Sequence, residues 1–117
     1  MNNMEERRNR FLQDELPIRL GGVAANLARI VSFSKNPANK DPVKSLIEES
    51  KYFIEWTAAE AELHTSAELI ELQINLAVWQ NNWDANWDDA SKRSEIILQA
   101  KLYSDSVIQK SGLLDKK

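Results

Sequence analysis

The sequence predicts an all-α protein, an up-down-up-down four-helix bundle with helices at about residues 15–34, 42–63, 66–81 and 89–110. Three observations carry this expectation. Within each segment apolar residues recur at alternating steps of four and three, the seam of near-antiparallel helix packing. Only three Gly and three Pro occur in 117 residues, and all but Gly112 lie in the first 42, which leaves turn-rich β architecture without turns. The breaks between segments carry helix stop and start chemistry. At 117 residues the chain makes one domain around one core. The expected organisation is a flexible N-terminal arm at 1–13, which lacks apolar periodicity, a single helical domain at 14–114, and a short tail at 115–117.

The first helix has Pro17 in its opening turn, where a missing N–H costs nothing, and Asp14 and Glu15 at its positive end. Leu16, Leu20, Val23, Leu27 and Ile30 form its seam. Gly21, Ala24 and Ala28 make a flank of small side chains, which fits close approach of a neighbouring helix. A phosphate-binding glycine loop would need a preceding strand and a following Gly-Lys-Ser/Thr, and neither is present. Asn36-Pro37 initiates a turn, and Asp41-Pro42 supplies a cap and a first-turn proline for the second helix. Val43, Ile47, Ser50, Ile54, Thr57 and Ala61 are its core row. A second row, Tyr52, Trp56, Ala59 and Leu63, falls on roughly the opposite face if the helix runs unbroken to 63.

Thr65-Ser-Ala-Glu68 has the form of a capping box and is expected to open the third helix. Leu69, Leu72, Leu76, Trp79 and Trp83 continue the core seam, while Ile70, Ile74 and Ala77 form an adjacent second row. The Asn- and Asp-rich stretch 82–88 is expected to be a loop, with Asp84 or Asp88 as the next cap. Trp79, Trp83 and Trp87 nevertheless recur every four residues, as in a continuous helix. In the last helix Ile96, Ala100, Tyr103 and Val107 face the core and Leu98 and Leu102 point elsewhere. Gly112 is a ready C-cap, after which Leu113 and Leu114 can fold back.

The pieces LPIRLGGVAANLARI, IEWTAAEAELHTSAELIELQ and LYSDSVIQKSGLL resemble those of small uncharacterised helical-bundle proteins of cyanobacteria, over about residues 16–114. The resemblance implies a compact helical bundle. It is carried by packing and capping patterns and implies no catalytic residue.

Composition narrows the function classes. There is no cysteine, which excludes disulfides, thiolate metal sites and thiol catalysis and fits a cytoplasmic protein. No apolar run approaches the roughly 20 residues of a membrane span, so no membrane role is expected. Net charge is −3, split between +3 over residues 1–40 and −6 over residues 41–117. Phosphate binding needs concentrated cations, so an acidic body argues against a nucleic-acid partner. The basic start is expected to neutralise the acidic helices of the same chain.

Chemical constellations are sparse. The best metal candidate, Glu60, His64 and Glu68, has one histidine and lacks the paired Glu-x-x-His motifs of bundle metal centres. His64 next to Thr65 or Ser66 has no nucleophile elbow around it. No catalytic residue, metal site or cofactor is therefore assigned. The stretch from Tyr52 to Ala90 holds all four tryptophans, eight acids and no Lys or Arg. Tyr and Trp are enriched at interface centres. Tyr52, Trp56, Ala59, Leu63 and Trp87 are the candidate interaction residues, for a protein partner or a homodimer. The alternatives are a small apolar ligand held between helices and, remotely, a metal-dependent enzyme using Glu60, His64 and Glu68.

Overall fold

A computed structural model describes residues 3–114, so the expected tail at 115–117 lies outside the described residues. It is all-helical, with no strand among those residues. Among the described residues six α-helices are present where four were expected: α1 (Asn3–Leu12), α2 (Leu16–Ser34), α3 (Lys40–Glu55), α4 (Leu63–Gln80), α5 (Trp83–Asp88) and α6 (Ala90–Ser111). The molecule measures 40 × 40 × 22 Å. Its thin dimension corresponds to two helix layers of about 10 Å each.

The seams fold as their spacing requires. Leu20, Val23, Leu27 and Ile30 of α2, Val43, Ile47 and Ile54 of α3, Leu69, Leu72, Leu76 and Trp79 of α4, and Ile96, Ala100 and Val107 of α6 form one buried cluster. The closest packing is between α2 and α6, over Gly21 and Ala24, while Ala28 of the expected small flank is exposed. There the Ser104 hydroxyl donates to the Ala24 carbonyl at 2.9 Å. A Cβ on Gly21 would lie 2.6 Å from Leu113 Cδ1, so the glycine makes room for the chain folding back after Gly112, which ends α6 at φ 80°.

The departures from the expected helices go with particular contacts. Residues 3–12, expected as an arm, form α1; Phe11 stacks on Phe53 at 4.4 Å and Arg7 pairs with Glu49. The second expected helix stops at Glu55, eight residues early. The buried Arg19 side chain takes the Trp56 carbonyl at 3.3 Å and clasps Glu60 with two bonds of 2.7 and 3.2 Å. A short 3-10 turn, Ala58–Glu60, fills the gap. The capping-box expectation is corrected. Glu62, not Thr65, is the N-cap of α4, and its carboxylate accepts from the Thr65 N–H at 2.9 Å and the Thr65 hydroxyl at 3.1 Å. Glu68 turns instead to Ser106 and Lys110 of α6.

The expected loop at 82–88 is the short helix α5 between two breaks. Asn82 takes a left-handed conformation at φ 62°, which asparagine tolerates, and Asp89 caps α6 by accepting from Ser91 and Lys92 N–H. The Trp83 and Trp87 indoles donate to the Lys40 and Pro37 carbonyls, and Arg93 lies over the Trp87 ring. Two tryptophans thereby close one end of the core against the α2–α3 connection.

Candidate interaction surfaces

The expected aromatic row exists only in part. Tyr52 and Trp56 are 5.7 Å apart on α3 and its C-cap. Because the helix stops at Glu55, Ala59 sits exposed on the 3-10 turn and Leu63 begins a different helix. Trp56 is half-buried, with Phe11 of α1 at 5.7 Å and Phe53 at 6.1 Å. Trp87 is 2% exposed and is taken up by packing at the core's end. The five candidate residues therefore do not form one surface.

Nor do Glu60, His64 and Glu68 come together as a ligand set. Glu60 holds Arg19, whose hydrogen bond and charge keep that carboxyl below its ordinary value. Glu68 is 2.8 and 2.9 Å from the Ser106 hydroxyl and 3.0 Å from Lys110 Nζ. His64 is exposed. Among the described residues no group of three or more His, Asp or Glu side chains is placed to hold a metal ion. Clefts lie at the surface. One of about 320 Å³ between α1 and α3 is lined by Arg7, Arg10, Asp14 and Glu49 beside Phe11 and Phe53, a charged setting for an apolar ligand.

The α4–α6 seam is joined differently from the α2–α6 seam. Asn75 donates to the Tyr103 hydroxyl at 2.6 Å, and that hydroxyl donates to Glu71 at 2.9 Å. Burial and the neighbouring Glu71 push the Tyr103 phenol above its ordinary value. With Glu68, Ser106 and Lys110, these groups bridge the two helices through side chains. Between them run shallow clefts lined by Glu71, Gln99 and Leu102, and by Val78, Glu95 and Ile96.

Outside that seam apolar side chains of α4 and of α6 are exposed, and of these the candidate residues included only Leu63. Leu63 is 79% exposed, and Ile70, Ile74 and Val78 of α4 and Leu98 and Leu102 of α6 are each more than half exposed. Ala67 and Ala77 are exposed beside them. Leu63, Ala67, Ile70, Ile74 and Ala77 step 4, 3, 4, 3, a second heptad seam on the side of α4 away from the core. The signal was present in the sequence as the adjacent row Ile70, Ile74 and Ala77 and the outlying Leu98 and Leu102. A helix apolar on both sides has the pattern of one buried on both sides.

No family model, curated protein or solved structure matches the chain. Among the described residues no helix is long and apolar enough to cross a membrane.

Proposed function

We propose that the chain is a non-catalytic protein-binding module. In this reading α2, α3, α4 and α6 act as an up-and-down bundle, α1 and α5 close its open sides, and the working surface is the outer face of α4 with Leu98 and Leu102. One observation carries the reading: the second heptad seam of α4 is exposed along its length, from Leu63 to Ala77. Long rows of exposed apolar side chains rimmed by polar residues mark interaction sites when they form patches larger than those of ordinary monomers. The charge of α4 favours protein over nucleic acid, because α4 carries no Lys or Arg to meet a phosphate.

A photoreactive amino acid placed at Ile74 in the host cell tests it. The expected result is a discrete crosslinked protein species that is absent when the same group replaces the exposed Ser32 on α2. Equal labelling from both positions, or none from Ile74, overturns the reading.

A further inference from the structure

We infer that α1 is a releasable strap, held by Arg7 and Phe11 over a groove between α2 and α3, and that the opened groove takes a helical segment of another protein carrying arginine and, four residues later, phenylalanine. The inference is independent of the outer face of α4.

The groove receives two side chains. Phe11 stacks on Phe53 of α3 at 4.4 Å and 14°, with Trp56 at 5.7 Å. On the α2 side lies Gly22, where an added Cβ would already touch Phe11 Cε1 at 3.5 Å. One turn away Arg7 pairs with Glu49. Glu49 and Phe53 are four residues apart on α3, as Arg7 and Phe11 are on α1, and residues four apart share a helix face. Arginine meets acid and ring meets ring in the same order, so α1 follows the chain direction of α3 along the groove. The acid keeps its aim without α1. Its other oxygen accepts from the Asn26 amide at 2.9 Å, and fully buried Asn26 in turn accepts from Arg29 at 2.7 Å.

The strap is lightly held. No described residue of α1 is buried, and the Arg7 and Glu49 side chains keep 38% and 30% of their surface exposed. With 10 residues α1 is shorter than the roughly 12–15 that a lone helix needs in water, so it unwinds once it leaves the groove. It cannot be rescued by joining α2. Pro17 has no N–H, and within a continuous helix its ring would clash with the carbonyl of Gln13. The far end of the hinge is fixed, because buried Arg19 donates to the Asp14 carbonyl at 3.1 Å. Opening therefore turns about Gln13 and breaks the bonds from the Gln13 and Asp14 N–H groups to the Arg10 and Phe11 carbonyls. A strap on so short a tether competes at an effective concentration of about millimolar.

Trypsin reads the strap. Arg10 is exposed, and cutting after it needs Phe11 drawn out of the groove, because the chain must be extended on both sides of the cut bond. Lys101, exposed in the middle of α6, reports on the bundle. When opening is fast relative to cleavage, cutting tracks the open population. The experiment measures cleavage after Arg10 and Lys101 against urea in wild type and Phe11→Ala, and binding of a fluorescein-labelled peptide of residues 3–13 to both proteins by anisotropy. Light scattering and circular dichroism accompany it. Expected are a shallower urea dependence after Arg10 than after Lys101 and, in Phe11→Ala, at least a tenfold rise in cutting after Arg10 with Lys101 unchanged. The peptide is expected to bind Phe11→Ala at least tenfold tighter than wild type, and to bind neither once its own phenylalanine is alanine. Cutting after Arg10 as steep in urea as after Lys101 overturns the strap, and that measurement needs no variant. A peptide that binds neither protein, binds both alike, or binds without its phenylalanine overturns exchange at the groove. A mass that doubles with concentration and is halved by excess peptide makes the occupant α1 of a second copy and overturns the foreign segment.

Discussion

The two sides of α6 are built from different materials. Towards α2 the contact is short-range and apolar. Gly21 and Ala24 leave room for the neighbouring chain, and the one cross-helix hydrogen bond there runs from the Ser104 hydroxyl to the Ala24 backbone carbonyl. Towards α4 the contact is made at arm's length, by Glu68 to Ser106 and Lys110 and by Asn75 and Glu71 to Tyr103. Close packing gains dispersion and burial along the whole contact. Hydrogen-bonded side chains gain about 1 kcal/mol each over their bonds to water. α2 and α6 thus approach closely, while α4 keeps Leu69, Leu72 and Leu76 in the common core, reaches α6 through polar side chains and turns its second apolar side outward.

The tight side breaks with the largest effect. Ala24 is 3% exposed against α6, so Ala24→Leu adds three carbons where there is no space. A loss of about 1–3 kcal/mol is expected in urea unfolding, as for overpacked cores. A loss under about 0.5 kcal/mol means that α6 can slide, and the distinction between the seams fails. The polar side breaks with a smaller effect. Tyr103→Phe keeps the ring and deletes both hydroxyl contacts, leaving the Asn75 amide without that acceptor. About 1 kcal/mol is expected. Amide exchange should rise in α4 and not in α2; a uniform rise across all helices would show that the two seams open together.

This division was partly legible in the sequence. The α2 seam, the small flank at Gly21 and Ala24, and Gly112 as a C-cap follow from local spacing and backbone preference, which act within a turn or two of the residue concerned. What was not legible came from long-range contacts. Arg19 reads as one more basic residue, yet its guanidinium reaches Trp56 and Glu60 across 37 and 41 residues and ends α3 there. Because the α-helix gives way to a 3-10 turn after Trp56 and to extended backbone at Ala61, 100° per residue no longer places Ala59 and Leu63 on the face of Tyr52. The aromatic row therefore dissolved for a physical reason. In the same way, Phe11 has no periodic partner in its own segment, and its stacking on Phe53 depends on α1 returning across α3. The apolar second side of α4 had the opposite fate, because it depended only on spacing within one unbroken helix.

Acid distinguishes the seams with the smallest effect and the clearest direction. The carboxylates that anchor the start of α4 are Glu60, held by Arg19, and Glu62, which accepts first from the Thr65 backbone N–H and then from its hydroxyl. Both carboxyls are kept below their ordinary value near 4.5. A carboxyl whose folded value is depressed binds protons more weakly in the folded chain. Its stabilising contribution is complete above the unfolded value and is lost as pH falls through the folded one. Protection of α4 amides against exchange should therefore be flat from pH 7 to about 5 and fall below about 4.5, ahead of α2 and α6. Glu60→Gln should lower α4 protection at neutral pH and make its acid dependence shallower, since one of the two titrating anchors is gone. If α2 loses protection at the same pH as α4, the helices are bound into one unit, and the outer face of α4 belongs to a helix as firmly held as the rest.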